Sequence, residues 1–281
     1  MVQLFVTDVD GTLIPDGVSQ ISPRYYEVIK ELKKKGVLFG VASGRQYRSI
    51  QRLFEPVKDD ILYIAENGAF VIYQGEELLH EPMSKEDSQE IVKDTRKMPG
   101  CQCLYDTRYM SYYEKGGEEV YHLMKDKYRY DCELVDDLLK IPEPCLKYSV
   151  YRATDIEEVT AKEFNPKWSR THQVACGGTR FMDLVKKDVS KGHALKKIQD
   201  ILGITKEETL AFGDNINDLE MLAQAKYSFA IGNAREEVKA AASFVAEDNQ
   251  SEGVLKVLEE LLENTEKNIK NNEIFEKYRK L

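Results

Sequence analysis

A chain of 281 residues is long enough for one large domain or two modest ones. Its 42% hydrophobic and 32% charged residues are the make-up of a globular protein in water. A formal net charge of −9 argues against a nucleic-acid binder, which needs a basic face, but leaves open an anionic small molecule, whose binding depends on the local field. The N-terminal apolar run Val2–Thr7 is too short for the core of a signal peptide, and no stretch approaches a membrane span. A cytoplasmic protein with no membrane partner is therefore expected. The cysteines (Cys101, Cys103, Cys132, Cys145 and Cys176) are odd in number and irregular in spacing, which speaks for free thiols rather than a disulfide framework. Cys101 and Cys103 form a C-x-C pair, but no other Cys or His stands at partner spacing for a metal.

The first third of the chain alternates strand and helix. Val2–Thr7 reads as a buried strand that gives way to Asp8-Val9-Asp10-Gly11-Thr12. Pro23–Lys35 reads as a helix, with Ser22 as its N-cap and Gly36 at its C-terminal end. The strand Val37–Ala42 ends at Ser43-Gly44-Arg45, a helix follows near Tyr47–Phe54, and the strand Ile61–Ala65 ends at Glu66-Asn67-Gly68. This rhythm predicts a parallel sheet with helical crossovers. From about Pro82 to Lys187 the rhythm breaks; Leu146–Tyr151 and Arg180–Val185 read as strands outside the first sheet, and Gly177-Gly178 as a turn before the second of them. The alternation returns with a helix at His193–Leu202, a strand at Thr209–Phe212 leading to Gly213-Asp214, a helix at Leu219–Gln224, a strand at Ser228–Ile231, a helix at Arg235–Ala242, a strand at Ser243–Ala246 and a last helix from Gly253. Beyond Asn264, Ile269, Phe275, Tyr278 and Leu281 form an apolar stripe at helical spacing. It has three open readings: packing on its own domain, a subunit contact, or a frayed end. The fold class is α/β, with a Rossmann-like parallel-sheet core in residues 1–82 and 188–281 and an inserted α+β domain in residues 83–187.

Four groups stand at equivalent places, each after a buried strand or opening a helix: Asp8 with Asp10, Ser43, Lys191, and the loop Asp214–Asp218. In an open parallel sheet those strand ends converge on one edge. Carboxylates, a hydroxyl and an ammonium gathered there suit phosphoryl transfer, which needs a nucleophile, a divalent cation and positive charge around the phosphate oxygens. Each position also has a structural explanation: Ser43 as a helix cap, Lys191 as an exposed loop lysine, Asp214 as an acid at a helix N-terminus. Their joint occurrence in one order favours chemistry.

Asp8-Val9-Asp10-Gly11-Thr12-Leu13, Ala42-Ser43-Gly44-Arg45, Asp188-Val189-Ser190-Lys191-Gly192 and Gly213-Asp214-Asn215-Ile216-Asn217-Asp218 together resemble the haloacid dehalogenase-like (HAD) superfamily of phosphatases. Glu66-Asn67-Gly68-Ala69 and the placement of the long insertion point, within it, to the Cof-type group with a type IIB cap. The resemblance runs to about Leu262. It implies that Asp8 is a nucleophile forming an aspartyl-phosphate and that Asp10 protonates the leaving alcohol, then activates water. Lys191 would balance the phosphate charge and hold Asp8. Gly11, Thr12, Ser43, Gly44 and Asn217 would surround the phosphate. Mg²⁺ would be the cofactor, ligated by Asp8, Asp214 and the backbone carbonyl of Asp10, with Asn215 and Asp218 around the ion and its waters. Arg45 and Asn67 are expected to touch substrate or the cap hinge, with hinges near Glu81–Ser84 and Lys186–Ser190.

The expected activity is phosphatase action on small phosphate monoesters, sugar phosphates above all, by a monomer or homodimer. Two alternatives stand beside it: a phosphotransferase or mutase that passes the phosphate to a sugar hydroxyl, and a non-catalytic sugar-phosphate sensor, which would need neither a nucleophile nor an acid/base. Seven tyrosines between Tyr105 and Tyr130 fit either β-rich core packing or stacking on a sugar ring.

Overall fold

The structure, a computed structural model, describes residues 1–15, 18–177, 179–266 and 275–279. It is built on two sheets. The chain lays down β1 (Leu4–Asp8), β2 (Leu38–Ala42), β3 (Ile61–Ala65), β4 (Phe70–Tyr73) and β5 (Glu76–His80), then leaves for the second sheet. There it forms β6 (Gln102–Asp106), β7 (Ser111–Glu114), β8 (Cys132–Val135), β9 (Lys147–Tyr151), β10 (His172–Gly177) and β11 (Phe181–Lys186). It returns through the helix Lys191–Leu202 to β12 (Thr209–Gly213), β13 (Tyr227–Ala230) and β14 (Phe244–Val245). The first sheet has the order β14-β13-β12-β1-β2-β3-β4-β5, and the second β10-β11-β9-β6-β7-β8.

β1, β3 and β12 are buried along their whole length, which is why they read as continuous apolar runs rather than alternating ones. Parallel pairing sets Phe5 beside Phe39 and carries a row of rings across the sheet. Phe5 stacks on Phe39 at 4.8 Å between centroids, Phe212 on Phe229 at 4.8 Å, and Phe229 on Phe244 at 4.9 Å. The helix Arg24–Lys34 lays Tyr25, Val28, Ile29 and Leu32 on this core, the spacing of one helical face.

The first sheet is not wholly parallel. β4 and β5 form an antiparallel hairpin on β3 that the alternating rhythm does not foresee. Its turn uses Gln74 and Gly75, both at positive φ (50° and 83°), the conformation a tight hairpin needs, but without the Asn-Gly or Asp-Gly pair that advertises one. Ser22 does not cap its helix through the side chain; Pro23 precedes the first turn and Ser22 offers its backbone carbonyl to the Tyr25 N–H at 3.0 Å. Leu146–Tyr151 and Arg180–Val185 supply β9 and β11 of the second sheet. Gly177 ends β10, and Gly178 lies outside the described residues.

The second sheet packs two apolar faces. Ile91, Val92, Phe164 and Trp168 cover one side, from helices of the same region. Leu104, Tyr113, Met124 and Tyr130 form the other, which turns toward the first sheet's strand ends. The chain's two passages between the sheets are tied at Glu81, whose carboxylate pairs with Lys186 and Lys197.

Phe275 is fully buried against Tyr227, Phe229 and Phe244, and Tyr278 donates to Glu260 at 2.8 Å, so this part of the C-terminal stripe packs on its own sheet. Ile269 and Leu281 lie outside the described residues. All five cysteines are free thiols. Among the described residues no helix is long and apolar enough to cross a membrane.

Candidate active site

Six consecutive neighbours of the first sheet, β14 to β3, run parallel and present their carboxyl ends to one edge, and side chains meet there from far apart in sequence. Asp8 closes β1, Ser43 follows β2, Asn67 follows β3, and Asp214 follows β12. Lys191 enters as the first residue of its helix, whose N-terminus is capped by the Ser190 hydroxyl accepting from the His193 N–H at 3.0 Å. The Lys191 ammonium is 2% exposed and donates to Asp8 Oδ1 at 2.5 Å and to Asp218 Oδ1 at 2.7 Å. The other oxygen of Asp218 accepts the backbone N–H groups of Asp214 and Asn215, each at 3.0 Å, and so shapes the loop that carries it. Asn215 in turn accepts from the Ile216 N–H at 2.8 Å.

Thr12 donates to Asp214 Oδ1 at 2.6 Å. Gly11 sits beneath it at φ +84°, and a Cβ there would lie 2.6 Å from Asp214 Oδ2; both conformation and space require glycine. Two residues absent from the sequence reading pin the same turn: Asn233 and Asn249 each donate to the Gly11 carbonyl at 2.8 Å. They follow β13 and β14, so the strand-end rule that located the others would have found them.

Asp8, Asp214 and Asp218 each bring a carboxylate oxygen within 4.8 Å of the others. Three acids around one lysine leave surplus negative charge. Burial raises the Asp8 pKa well above its ordinary value, Asp218 and Asp214 push the same way, and Lys191 opposes them. Burial likewise lifts Asp214 to about 6, with Asp218 adding to the rise and the Thr12 hydrogen bond opposing it. Burial works against the charge on Lys191, but Asp218 and Asp8 outweigh it and hold the ammonium firmly protonated. A set of hard oxygen donors with unbalanced negative charge fits a divalent cation such as Mg²⁺. The carboxylate of Asp10 is not in this group. It faces Arg45, accepting from Nε at 2.6 Å and from Nη2.

Arg45 is 4% exposed and lies 4.9 Å from the ring centroid of Tyr128, which comes from the second sheet's side. Asn67 also reaches across: it donates to Asp183 at 3.0 Å and accepts from Asn217 at 3.3 Å. Between the two sheets is a cavity of about 400 Å³. Asp8, Asp10, Ser43, Gly44, Arg45, Asn67, Lys191, Asn215 and Asn217 form its floor; Met124, Lys127, Tyr128, Tyr130, Arg180 and Phe181 form its roof. Of the seven tyrosines, Tyr128 and Tyr130 reach the cavity, whereas Tyr105 and Tyr113 are core side chains. The C-x-C pair gathers no metal-ligating group around it; among the described residues the one such cluster is the three aspartates.

The model of the haloacid dehalogenase-like hydrolases matches residues 5–258. The chain is 28% identical to 5-amino-6-(5-phospho-D-ribitylamino)uracil phosphatase YbjI of Escherichia coli strain K12, over 93% of this chain and 96% of that protein. It is 28% identical to a phosphoglycolate phosphatase of Staphylothermus marinus, over 94% of this chain and 99% of that protein. A crystal structure from Eubacterium rectale superposes with a TM-score of 0.83 at 36% identity, covering 92% of this chain and 99% of that one. A HAD subclass IIB sugar phosphatase superposes with a TM-score of 0.80 at 25% identity, again over 92% of this chain and 99% of that one.

Proposed function

The chain belongs to the haloacid dehalogenase-like hydrolases, and from that membership we propose that it is a Mg²⁺-dependent phosphatase of small phosphate monoesters, sugar phosphates first among them. The observation that carries this reading is the buried contact of Lys191 with Asp8 and Asp218, with Asp214 alongside. Asp8 and Asp214, with the backbone carbonyl of Asp10, are the groups that would hold the ion, and Asp218, tied to Lys191 and the loop amides, stands beside them. Bound there, Mg²⁺ would supply the positive charge that lets an anionic nucleophile approach an anionic phosphate.

A carboxylate oxygen of Asp8 attacks phosphorus, the bond to the leaving oxygen breaks, and Asp10 gives that oxygen its proton. In the second half, Asp10 takes a proton from water, the water oxygen attacks phosphorus, and Asp8 is released with inorganic phosphate. Lys191 holds one Asp8 oxygen throughout and leaves the other for phosphorus. An entering phosphate offers Arg45 a second anion, which frees Asp10 to face the leaving oxygen. The region 83–187 is then a cap that shuts the site against bulk solvent and selects the alcohol through Met124, Tyr128, Tyr130 and Phe181. The names of the relatives, phosphatases of small phosphorylated metabolites, support the same substrate class.

The test is phosphate release from a panel of sugar phosphates, nucleotides and one aryl phosphate, with and without Mg²⁺, beside Asp8→Asn. Metal-dependent release by the wild type alone is expected. Release by Asp8→Asn at the wild-type rate would overturn the mechanism.

A further inference from the structure

A second buried lysine lies where the two sheets meet. Lys147, at the start of β9, is 4% exposed. Its ammonium stands 2.9 Å from Glu66 Oε2 and 3.3 Å from Asp106 Oδ2, and it donates to the backbone carbonyl of Gly44. Gly44 is the middle of the turn after β2. The carbonyls on either side are taken from within the first sheet: Ser43 O accepts from the Asn67 N–H at 3.0 Å, and Arg45 O from the Glu66 N–H at 3.2 Å. The middle carbonyl is held by the other sheet.

What that contact controls follows from peptide geometry. The Gly44 carbonyl and the Arg45 N–H are two ends of one planar unit. The Arg45 N–H donates to Ser43 Oγ at 3.1 Å. A lone pair of the Ser43 hydroxyl is thereby engaged, and its own O–H is left to donate to an anion in the cavity. Turning the 44–45 peptide would take the Arg45 N–H away from Ser43. The neighbouring residues are gripped from the same side: Gln46 donates to Ser111 at 3.0 Å and accepts from the Asp131 N–H at 2.9 Å.

We infer that Lys147 is a positioning residue for the phosphate: by holding the Gly44 carbonyl it fixes the 44–45 peptide, and through it the Ser43 hydroxyl, so that the phosphate site is complete only while the second sheet sits on the first. This rests on the phosphatase reading. Lys147 acts on the phosphate end of any ester, so its removal is felt alike by every substrate and by inorganic phosphate itself.

The experiment compares Lys147→Met, Glu66→Gln, Ser43→Ala and the double variant Lys147→Met/Ser43→Ala. The readouts are KM for two unlike esters, the inhibition constant of inorganic phosphate, and the melting temperature. Lys147→Met should raise KM and the phosphate inhibition constant about tenfold, the scale of one charge-assisted hydrogen bond, by the same factor for both esters. Glu66→Gln should leave both constants unchanged, because Lys147 still reaches Gly44. The double variant should be no worse than Ser43→Ala alone, since the two act through one hydroxyl. Should Lys147→Met not fold, Lys147→Met/Glu66→Gln carries the same test with the buried acid surplus eased. Unchanged constants in the lysine variant, full additivity with Ser43→Ala, or a rise in KM for one ester only would each overturn the inference while leaving the phosphatase reading intact. A wild type that neither hydrolyses an ester nor binds inorganic phosphate would overturn both.

Discussion

Two buried lysines in this molecule are each outnumbered by carboxylates, and the surplus is resolved in different ways. Lys191 lies among Asp8, Asp214 and Asp218 at the open end of the first sheet, where Asp214 is only partly covered. Lys147 lies between Glu66 and Asp106, which are 1% and 0% exposed, in the seam between the sheets. The two carboxylates of the closed cluster are almost wholly out of solvent, and a proton meets the surplus there: burial first, then Asp106, pushes Glu66 up to about 8 against the pull of Lys147. In the open cluster burial pushes Asp8 and Asp214 the same way, but Asp214 is only partly covered, so a cation from solution can take the proton's place. An acid surplus around a lysine thus becomes a proposed metal site or a protonated carboxyl according to access.

Asp8→Asn tests the open cluster most severely. Phosphate release should fall by about 10³-fold or more, while the melting temperature holds or rises, because the amide removes one buried negative charge. Turnover near the wild-type rate would break the reading of that cluster. Lys191→Met and Lys147→Met should each cost about 3–5 kcal/mol in urea unfolding without divalent ions, the scale for stranding buried partners. Adding Mg²⁺ should restore stability to Lys191→Met and leave Lys147→Met where it was. An equal response of the two variants would erase the distinction between open and closed.

Glu66→Gln sharpens the closed side through pH. Glu66 keeps its proton in the folded chain up to about 8, while a glutamate in the unfolded chain loses it near 4.5. Between those values the folded state binds more protons, so stability falls as pH rises through the window. Melts from about pH 5 to about pH 9 should slope downward for the wild type and run flatter for Glu66→Gln. Parallel slopes would place the titration elsewhere. The mildest change is Thr12→Val, which deletes the 2.6 Å hydrogen bond to Asp214. It should cost ~1 kcal/mol and move the midpoint of Mg²⁺ activation by several-fold, as read from activity against metal concentration.

The sequence made the first sheet legible because β1, β2, β3 and β12 are apolar runs that each end in a small or acidic residue. Placing Asp8, Ser43, Lys191 and Asp214 together needed only the rule that strand ends of a parallel sheet converge. β5 was not legible: Glu76–His80 is a half-exposed edge strand with two acids and no apolar alternation. The pairing of Arg45 with Asp10, and the place of Asp218 beside Lys191 rather than beyond it, depend on side-chain reach that spacing does not encode. Lys147 was invisible for a further reason. It opens a strand in one sheet and acts on a carbonyl of the other, 103 positions earlier.

The chain's last described segment bears on one border of the first sheet. β14 is two residues long and forms one border of the first sheet, with phenylalanine rings beneath it. Such a border offers unpaired backbone groups over an apolar bed, a template on which a second polypeptide could add a strand. Here it is occupied from within: Arg279 bridges to Phe244, and Phe275 seals the rings below. Residues 275–279 therefore work as a hem for the sheet's side, and a chain cut before Phe275 would bare that border and lose solubility.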